Sequence, residues 1–371
     1  MSWRSCVPFR CWRRIKDLLM KKTTRLNWNI VLTTKVFVST SLCMLISTII
    51  MLSIIVNAIS IDDRSYYVYA TASASASTST TLPGFNFAAV GDWGCTSDTT
   101  DTVNNILDKN PELVLGLGDY SYEESPDCWF NIIQPINNIM KIVIGNHEDG
   151  VQKVDETDDE GFLRKFMSHF GLTREYYSFD YQNVHFLALA TQAGYLDMST
   201  DKAKEQLAFV KSDLEKASAN PNIKWIIPFF HRMMYYEDED SSRIEPHDEN
   251  LRKVYHPLFD QYGIKLLLQS HTHAYERTYP LRSNPENMDN PIVTNQDLNN
   301  YHITDGLVIA TVGTGGAAPS GFSGDSEYTP IQHEDLFGFL NVDVSSDGRK
   351  LVGTFYDNDG GEIKDQFTIT K

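Results

Sequence analysis

Three apolar segments of the chain each end in a glycine that is followed at once by a residue able to bind a metal ion. The motifs are GDWG, GDYSY and GNHE, and their candidate ligands Asp92, Asp119 and Asn146 follow one another at intervals of 27 residues. One such motif alone is typical of a plain turn or a helix cap. The shared interval is about the length of one strand–helix–strand unit. Each unit returns the chain to the same edge of a parallel sheet, so we expect the three side chains to lie close together there.

The pattern around these motifs predicts an α/β domain over Phe85–Lys371. The predicted strands are Phe85–Val90, Glu112–Gly118, Ile139–Gly145, Val184–Thr191, Lys224–Phe230 and Ile264–Gln269, and the predicted helices are Thr99–Lys109, Gly161–Phe170, Asp201–Ala217 and Asp248–Tyr262. Their alternation favours a parallel sheet with right-handed crossovers. After Tyr301 the strands follow one another through turns, which predicts an antiparallel second sheet packed on the first: Gly306–Val312, Phe337–Val344, Lys350–Tyr356 and Ile363–Thr370.

Two of the later predicted strands run into histidines. One ends at His231, and the other leads into Ser270-His271-Thr272-His273. In an extended His-Thr-His segment both imidazoles point to the same side, so His271 and His273 can each reach one of two neighbouring metal ions. The histidines inside predicted helices or strands are interpreted as structural: His169, His185 and His256.

The candidate donors, with Tyr122 of the second motif, form a mixed oxygen and nitrogen set. Such a set favours iron, manganese or zinc. A carboxylate such as Asp119 can bridge two ions ~3.5–4 Å apart, the geometry that clamps both oxygens of an in-line displacement at phosphorus. Bound ions also lower the pKa of water, so that a metal-bound hydroxide is available as the nucleophile.

The amino-terminal part has a different character from the predicted domain. Residues 1–35 carry nine basic residues against Asp17, whereas the whole chain has a net charge of −17, which argues against a nucleic-acid scaffold. Residues 36–61 contain no charged residue, and this length predicts a transmembrane helix whose basic side stays in the cytoplasm. The segment either remains as an anchor, which we favour, or is cleaved near Ser60 to release a secreted protein. Residues 62–84 are predicted to be a Ser/Thr/Ala-rich tether.

Outside these amino-terminal segments the chain has two cysteines, Cys95 and Cys128. In an oxidising exterior they either pair or remain free thiols.

In its motif order the chain resembles the calcineurin-like metallophosphoesterases and, among them, the purple acid phosphatases. The resemblance rests on GDWG, GDYSY, GNHE, His231, SHTHAYER and VGTGGA, and the subgroup rests on Tyr122 and on the Ala274–Arg277 continuation. It implies a four-layer α/β/β/α sandwich with two packed mixed sheets flanked by helices. The sequence departs from the family at Ser270, where a glycine is usual.

The resemblance also implies a role for each candidate. One metal, Fe(III) in that family, would bind Asp92, Tyr122 and His273. The other, Fe(II), Zn(II) or Mn(II), would bind Asn146, His231 and His271, and Asp119 would bridge the two. His147 and, more loosely, His247 would face the phosphate as catalytic residues.

We therefore expect an acid phosphatase-like enzyme that hydrolyses phosphate monoesters outside the cell while anchored in the membrane. One alternative is an ectonucleotidase or phosphodiesterase of the same superfamily, and another is a surface protein that binds metal or phosphate without catalysis. The substrate and the oligomeric state stay open at this point.

Overall fold

Two seven-stranded mixed sheets carry the fold. The computed structural model describes residues 84–149, 159–235, 247–321 and 326–371. The strands are β1 (Phe85–Val90), β2 (Leu113–Gly116), β3 (Met140–Ile142), β4 (Tyr177–Tyr181), β5 (Val184–Ala188), β6 (Trp225–Phe229), β7 (Leu266–Gln269), β8 (Tyr275–Arg277), β9 (Leu281–Arg282), β10 (Ile292–Val293), β11 (Asn300–His302), β12 (Val308–Val312), β13 (Ile331–His333), β14 (Gly338–Val344), β15 (Lys350–Asp357) and β16 (Ile363–Thr370). The helices are α1 (Ser97–Lys109), α2 (Asp127–Ile132), α3 (Asp159–His169), α4 (Ala193–Leu196), α5 (Asp201–Ala219) and α6 (His256–Gln261), with a 3₁₀ turn at Asn137–Ile139 and a π-helical turn at Leu251–Tyr255.

The first sheet has the order β11-β16-β15-β14-β1-β2-β3. Its strands β1, β2 and β3 are parallel, as the equal motif spacing predicts. On the other side of β1, strands β14, β15 and β16 continue the same sheet in antiparallel pairing. The second sheet has the order β13-β8-β12-β7-β6-β5-β4, with β5, β6, β7 and β12 parallel.

The prediction that the strands after Tyr301 form an antiparallel sheet of their own is wrong. Strand β12 lies parallel to β7 in the second sheet, whereas β14–β16 extend the first. In β14 the residues from Gly338 to Val342 are all buried. A strand covered on both faces reads as an apolar run in either sheet, so the pattern gives no sign of which sheet it joins.

The two sheets pack face to face over one hydrophobic core. Phe87 of β1 meets Phe186 of β5 edge to face, with ring centroids 5.1 Å apart. A buried ion pair also joins the sheets: Arg277 of β8 donates from Nε and Nη2 to the carboxylate of Asp365 on β16, at 2.6 and 2.9 Å. The Tyr275 hydroxyl donates to the same carboxylate at 2.7 Å.

Side-chain caps explain where two of the longer helices begin. The Thr96 hydroxyl accepts the Thr99 amide before α1, and the Thr200 hydroxyl accepts the Ala203 amide before α5. Helix α1 follows directly on the first strand-end motif, so its start is fixed close to Asp92.

The predicted segments 1–35 and 36–61 lie outside the described residues, as does the predicted tether 62–84 except for its last residue. Within the described ranges, no helix combines the length and the apolar character that crossing a membrane requires.

We expect Asp365→Asn to lower the free energy of unfolding by about 3–5 kcal/mol, because it leaves the buried Arg277 guanidinium without its counter-charge. Denaturant unfolding followed by circular dichroism measures this. The control is Glu362→Ala in the turn just before the same strand, which removes an exposed partner of Lys364 and should leave the unfolding midpoint unchanged. Equal midpoints for both variants would contradict a structural role for the buried pair.

The stability contributed by His185 should depend on pH. Burial lowers the pKa of His185, but hydrogen bonds to Asp213 and Asp180, at 2.8 and 2.6 Å, outweigh it and raise this pKa above 6.5. The contribution is therefore full below the unfolded-state value and disappears as the pH rises through the folded-state pKa. The difference in unfolding midpoint between wild type and His185→Gln should be larger at pH 5 than at pH 9. A difference that does not change with pH would contradict this.

Candidate metal centre

The candidate donors come from strand ends of both sheets, and the structure brings all seven together: Asp92, Asp119, Tyr122, Asn146, His231, His271 and His273. In the first sheet, the loops after β1 and β2 run side by side. The amides of Asp92, Trp93 and Gly94 donate to the carbonyls of Gly118, Asp119 and Tyr120, at 3.0, 2.8 and 2.7 Å. These bonds continue the parallel pairing past the strand ends, so the two carboxylates meet at the sheet edge as predicted.

Each of the two carboxylates is oriented by one backbone amide. The His271 amide donates to Asp92 Oδ2 at 2.8 Å, and the His147 amide donates to Asp119 Oδ1 at 2.9 Å. The other oxygen of each carboxylate faces the remaining donors. Asp119 Oδ2 lies 3.2 Å from His231 Nε2 and 3.5 Å from Tyr122 Oη, so a single carboxylate reaches both groups of donors.

The first group of donors surrounds His231 Nε2. Since His231 Nδ1 lies 2.9 Å from the Leu117 carbonyl, which can only accept, Nδ1 carries the proton and Nε2 has the lone pair in the neutral ring. Yet Nε2 lies 2.8 Å from Asn146 Oδ1 and 3.0 Å from His271 Nδ1, besides the Asp119 contact. A lone pair that faces two oxygens and a nitrogen is repelled by them, and a cation bound among these atoms would remove the repulsion.

The second group repeats this arrangement around His273 Nε2. Its Nδ1 donates to the Ala318 carbonyl at 2.7 Å, and Nε2 lies 3.0 Å from Tyr122 Oη and 3.4 Å from Asp92 Oδ1. The residues therefore fit two cations. One would lie among Asn146, His231 and His271, and the other among Asp92, Tyr122 and His273. Donor atoms of Asp119, His231 and His271 all lie within 4.8 Å of one another.

The protonation equilibria show that this pocket favours positive charge. Burial acts to raise the pKa of Asp119, but the neighbouring His231 outweighs it and holds that pKa well below its usual range. Burial also acts to lower the pKa of His231, and Asp119 instead raises it to about 9. Burial, followed by the repulsion of Asp92, raises the pKa of Tyr122 well above 10. A bound cation would take the place of the protons that His231 and Tyr122 retain.

Four of the seven donors have a backbone conformation that is costly for a non-glycine residue. The φ angles of Asp92, Asp119, Tyr122 and His271 are +54°, +53°, +54° and +80°. The neighbouring glycines allow the close approach that this requires. A Cβ on Gly145 would lie 2.1 Å from Asp119 Oδ1.

The two predicted phosphate-facing histidines differ in position. His147 packs against Tyr122 with the two rings tilted by 46° and their centroids 4.3 Å apart, and its Nε2 lies 3.9 Å from Asp119 Oδ2. His247 Nε2 instead lies 3.7 Å from the carboxylate of Asp197. Among the described contacts of His247, none is with the seven donors. Contacts with the donors are therefore described for His147, and a phosphate-facing role of His247 stays a prediction.

With this geometry in place, the comparison with known families is decisive. The profile of the calcineurin-like phosphoesterase family matches residues 85–275, slightly more than half of the chain, and this range contains all seven donors. The chain belongs to the calcineurin-like phosphoesterase family.

Several members of this family are similar to the chain. Purple acid phosphatase 15 of Arabidopsis thaliana is 27% identical over 54% of this chain and 42% of its own length. Human acid phosphatase type 7 is 26% identical over 46% of this chain and 41% of its own length. A purple acid phosphatase from yellow lupin (Lupinus luteus) seeds shares the fold, with a TM-score of 0.61, 21% identity, and coverage of 77% of this chain and 53% of that one. The chain therefore spans less than half the length of these two curated relatives.

Sequence reasoning assigned no role to several residues that hold the calcineurin-like site. Glu148 is fully buried and accepts the amides of Asp119, Tyr120 and Gly145 at 2.9–3.0 Å. It is the last letter of GNHE, so the signal was present in the motif. Ser270, which departs from the family, donates to the same Leu117 carbonyl as His231, at 2.7 Å.

The glycine-rich VGTGGA segment supports the other donor group. The Gly315 and Ala317 amides donate to the carbonyls of Gly91 and Asp92, at 2.9 and 3.0 Å. The Ala318 carbonyl that orients His273 follows directly. The sequence contains this motif but does not show which residues it contacts.

We expect Gly145→Ala to weaken metal binding by about 10–100-fold, since the added methyl group collides with the oriented Asp119 carboxylate. Calorimetric titration of the metal-free protein with Zn(II) measures the change. Gly194→Ala is the matched control, because its Cβ would meet nothing closer than a Lys202 carbon at 3.9 Å. Wild-type affinity in Gly145→Ala would show that Asp119 is not a ligand.

Proposed function

We propose that the chain is a metal-dependent phosphatase of the purple acid phosphatase type, which hydrolyses phosphate monoesters. One observation carries this proposal. Two imidazole lone pairs, each fixed by a carbonyl on the far side of its ring, face two separate groups of oxygen and nitrogen donors that share Asp119.

We assign the two groups to different metals. Asp92, Tyr122 and His273 supply two anionic oxygens and suit a hard Fe(III) ion. Asn146, His231 and His271 are neutral donors and suit Fe(II), Zn(II) or Mn(II). The bound ions would neutralise the phosphoryl oxygens and make a nucleophilic water available.

The chain's own residues position these parts. The amides of His147 and His271 hold the two carboxylates, and Glu148 fixes the backbone on both sides of Asp119. His147 stands at the mouth of the site with its side chain 33% exposed, where it can donate a hydrogen bond to the phosphoryl group or to the departing alcohol.

We also propose that residues 36–61 anchor the protein, with the catalytic domain outside the cell. The Cys95–Cys128 disulfide supports an oxidising compartment.

We expect Asp119→Ala to lower turnover of an aryl phosphate monoester by about 10³-fold or more, because both subsites lose the ligand that they share. Activity and metal content should be measured together, with Asp101→Ala on the exposed face of α1 as the control. Near-wild-type turnover in Asp119→Ala would refute the proposal. A wild type that prefers an aryl phosphodiester would favour the phosphodiesterase alternative. A wild type that binds two metals and hydrolyses neither ester would favour a binding protein.

A further inference from the structure

A disulfide joins two of the loops that carry proposed metal donors. Cys95 follows Asp92 by three residues, and Cys128 follows Tyr122 by six. Their Cα atoms lie 5.8 Å apart, and 33 residues separate them in the chain. No other donor loop is joined covalently within the described residues.

The chain between Tyr120 and Cys128, which we call the Tyr122 arc (residues 121–127), is held at both ends by neighbouring residues of the first loop. At its start, the Tyr120 carbonyl accepts the amide of Gly94 at 2.7 Å. At its end, Cys128 is bonded to Cys95. The disulfide is therefore the covalent hold on the far end of the arc.

The arc carries a donor in a demanding conformation. Tyr122 has a φ of +54°, which is rare for a bulky residue and persists only when its surroundings enforce it. Its hydroxyl must meet Asp92 Oδ1 at 3.1 Å and His273 Nε2 at 3.0 Å. An arc released at one end would relax toward ordinary φ values and withdraw the hydroxyl.

Loss of the disulfide should loosen the arc without unfolding the domain. Trp129, next to Cys128, is fully buried. Its ring lies 4.4 Å from that of Tyr120 and 6.1 Å from that of Trp93, centroid to centroid. This contact keeps the residues after Cys128 packed on the core, whereas Asp127 and Cys128, the first residues of α2, lose their link to the loop of Asp92. Asn146, His231 and His271 follow strands that the disulfide does not touch.

We propose that Cys95 and Cys128 are positioning residues for the oxygen-rich subsite. Their disulfide determines how firmly Asp92, Tyr122 and His273 retain a trivalent cation, and it leaves retention at the Asn146–His231–His271 subsite unchanged. This inference rests on the proposed function, because it requires two distinct cation subsites.

The test uses the full chain in detergent, loaded with Fe(III) and Zn(II), as wild type and as the Cys95→Ser/Cys128→Ser variant. Metal content per chain and the visible phenolate band are followed during dialysis against a chelator. The double variant should keep its circular dichroism spectrum and its zinc. It should lose iron and colour on the order of 10–100-fold faster than wild type. Tyr122→Phe gives the colourless reference, and His185→Gln controls for general destabilisation far from the site.

A second arm breaks the disulfide chemically in protein loaded with Ga(III), which the reagent does not reduce, and Zn(II). A phosphine and water convert the disulfide to two thiols, and the phosphine is oxidised to its oxide. Gallium release should accelerate in wild type and stay unchanged in the double variant. Equal release rates in wild type and double variant overturn the inference alone, as does parallel loss of both metals with unfolding. A wild type that retains neither cation overturns the proposed function, and the inference with it.

Discussion

Buried carboxylate oxygens and imidazole nitrogens that attract positive charge face one another at the strand ends of the two sheets. The other features of the site depend on how this electrostatically unfavourable grouping is stabilised. Asp92 and Asp119 are 0% and 1% exposed, and burying an uncompensated carboxylate is costly. Backbone amides satisfy one oxygen of each, while the other oxygens converge with imidazole lone pairs. Because the donors follow strands of both sheets, the geometry depends on how the sheets pack. The Arg277–Asp365 pair holds the sheets together away from the metal centre and compensates its own buried charges.

Bringing these donors together costs conformational energy, and four of them carry that cost in the backbone as a positive φ. Each residue held in a strained region costs about 1–3 kcal/mol and persists only when its surroundings over-determine it. The three inter-loop hydrogen bonds, the buried Glu148 and the VGTGGA segment are those surroundings. Strain and support therefore occur in the same loops. This explains why a glycine precedes the first donor of each of the motifs GDWG, GDYSY and GNHE. A Cβ at Gly118 would lie within 3 Å of His231, and a Cβ at Gly145 would lie within 3 Å of Asp119.

The sequence predicted the donors better than it predicted the sheets. Strand ends are local features, and three of them at one interval specify a shared edge, so Asp92, Asp119 and Asn146 could be placed together. Sheet membership of β12 and β14 is decided by long-range pairing between apolar runs that look alike in the sequence. The contact of His247 with Asp197 could not be predicted, because the two residues lie far apart in the chain. The structural interpretation of His169 and His256 agrees with their contacts, a stack on Phe130 and a hydrogen bond to Tyr235. Glu148 belongs to the GNHE motif, but its role was missed because its partners are backbone amides, which the motif does not show.

The two donor groups differ in the structural elements that position them. Asn146, His231 and His271 stand within a few residues of β3, β6 and β7, so the sheets themselves fix their spacing. Tyr122 lies six residues past the end of β2, and the Cys95–Cys128 disulfide joins its loop to the loop of Asp92. His273 is held by the Ala318 carbonyl and the Ser320 hydroxyl, much as His231 is held by the Leu117 carbonyl and the Ser270 hydroxyl. In the second group the Tyr122 hydroxyl donates to Asp92 Oδ1 at 3.1 Å, although Tyr122 has a φ of +54°. A residue in this conformation stays in place only where its surroundings enforce it, so the loop of Tyr122 needs more restraint than a strand end. Among the described residues the disulfide is the one covalent restraint on a donor loop, and it lies on the side of the oxygen-rich subsite.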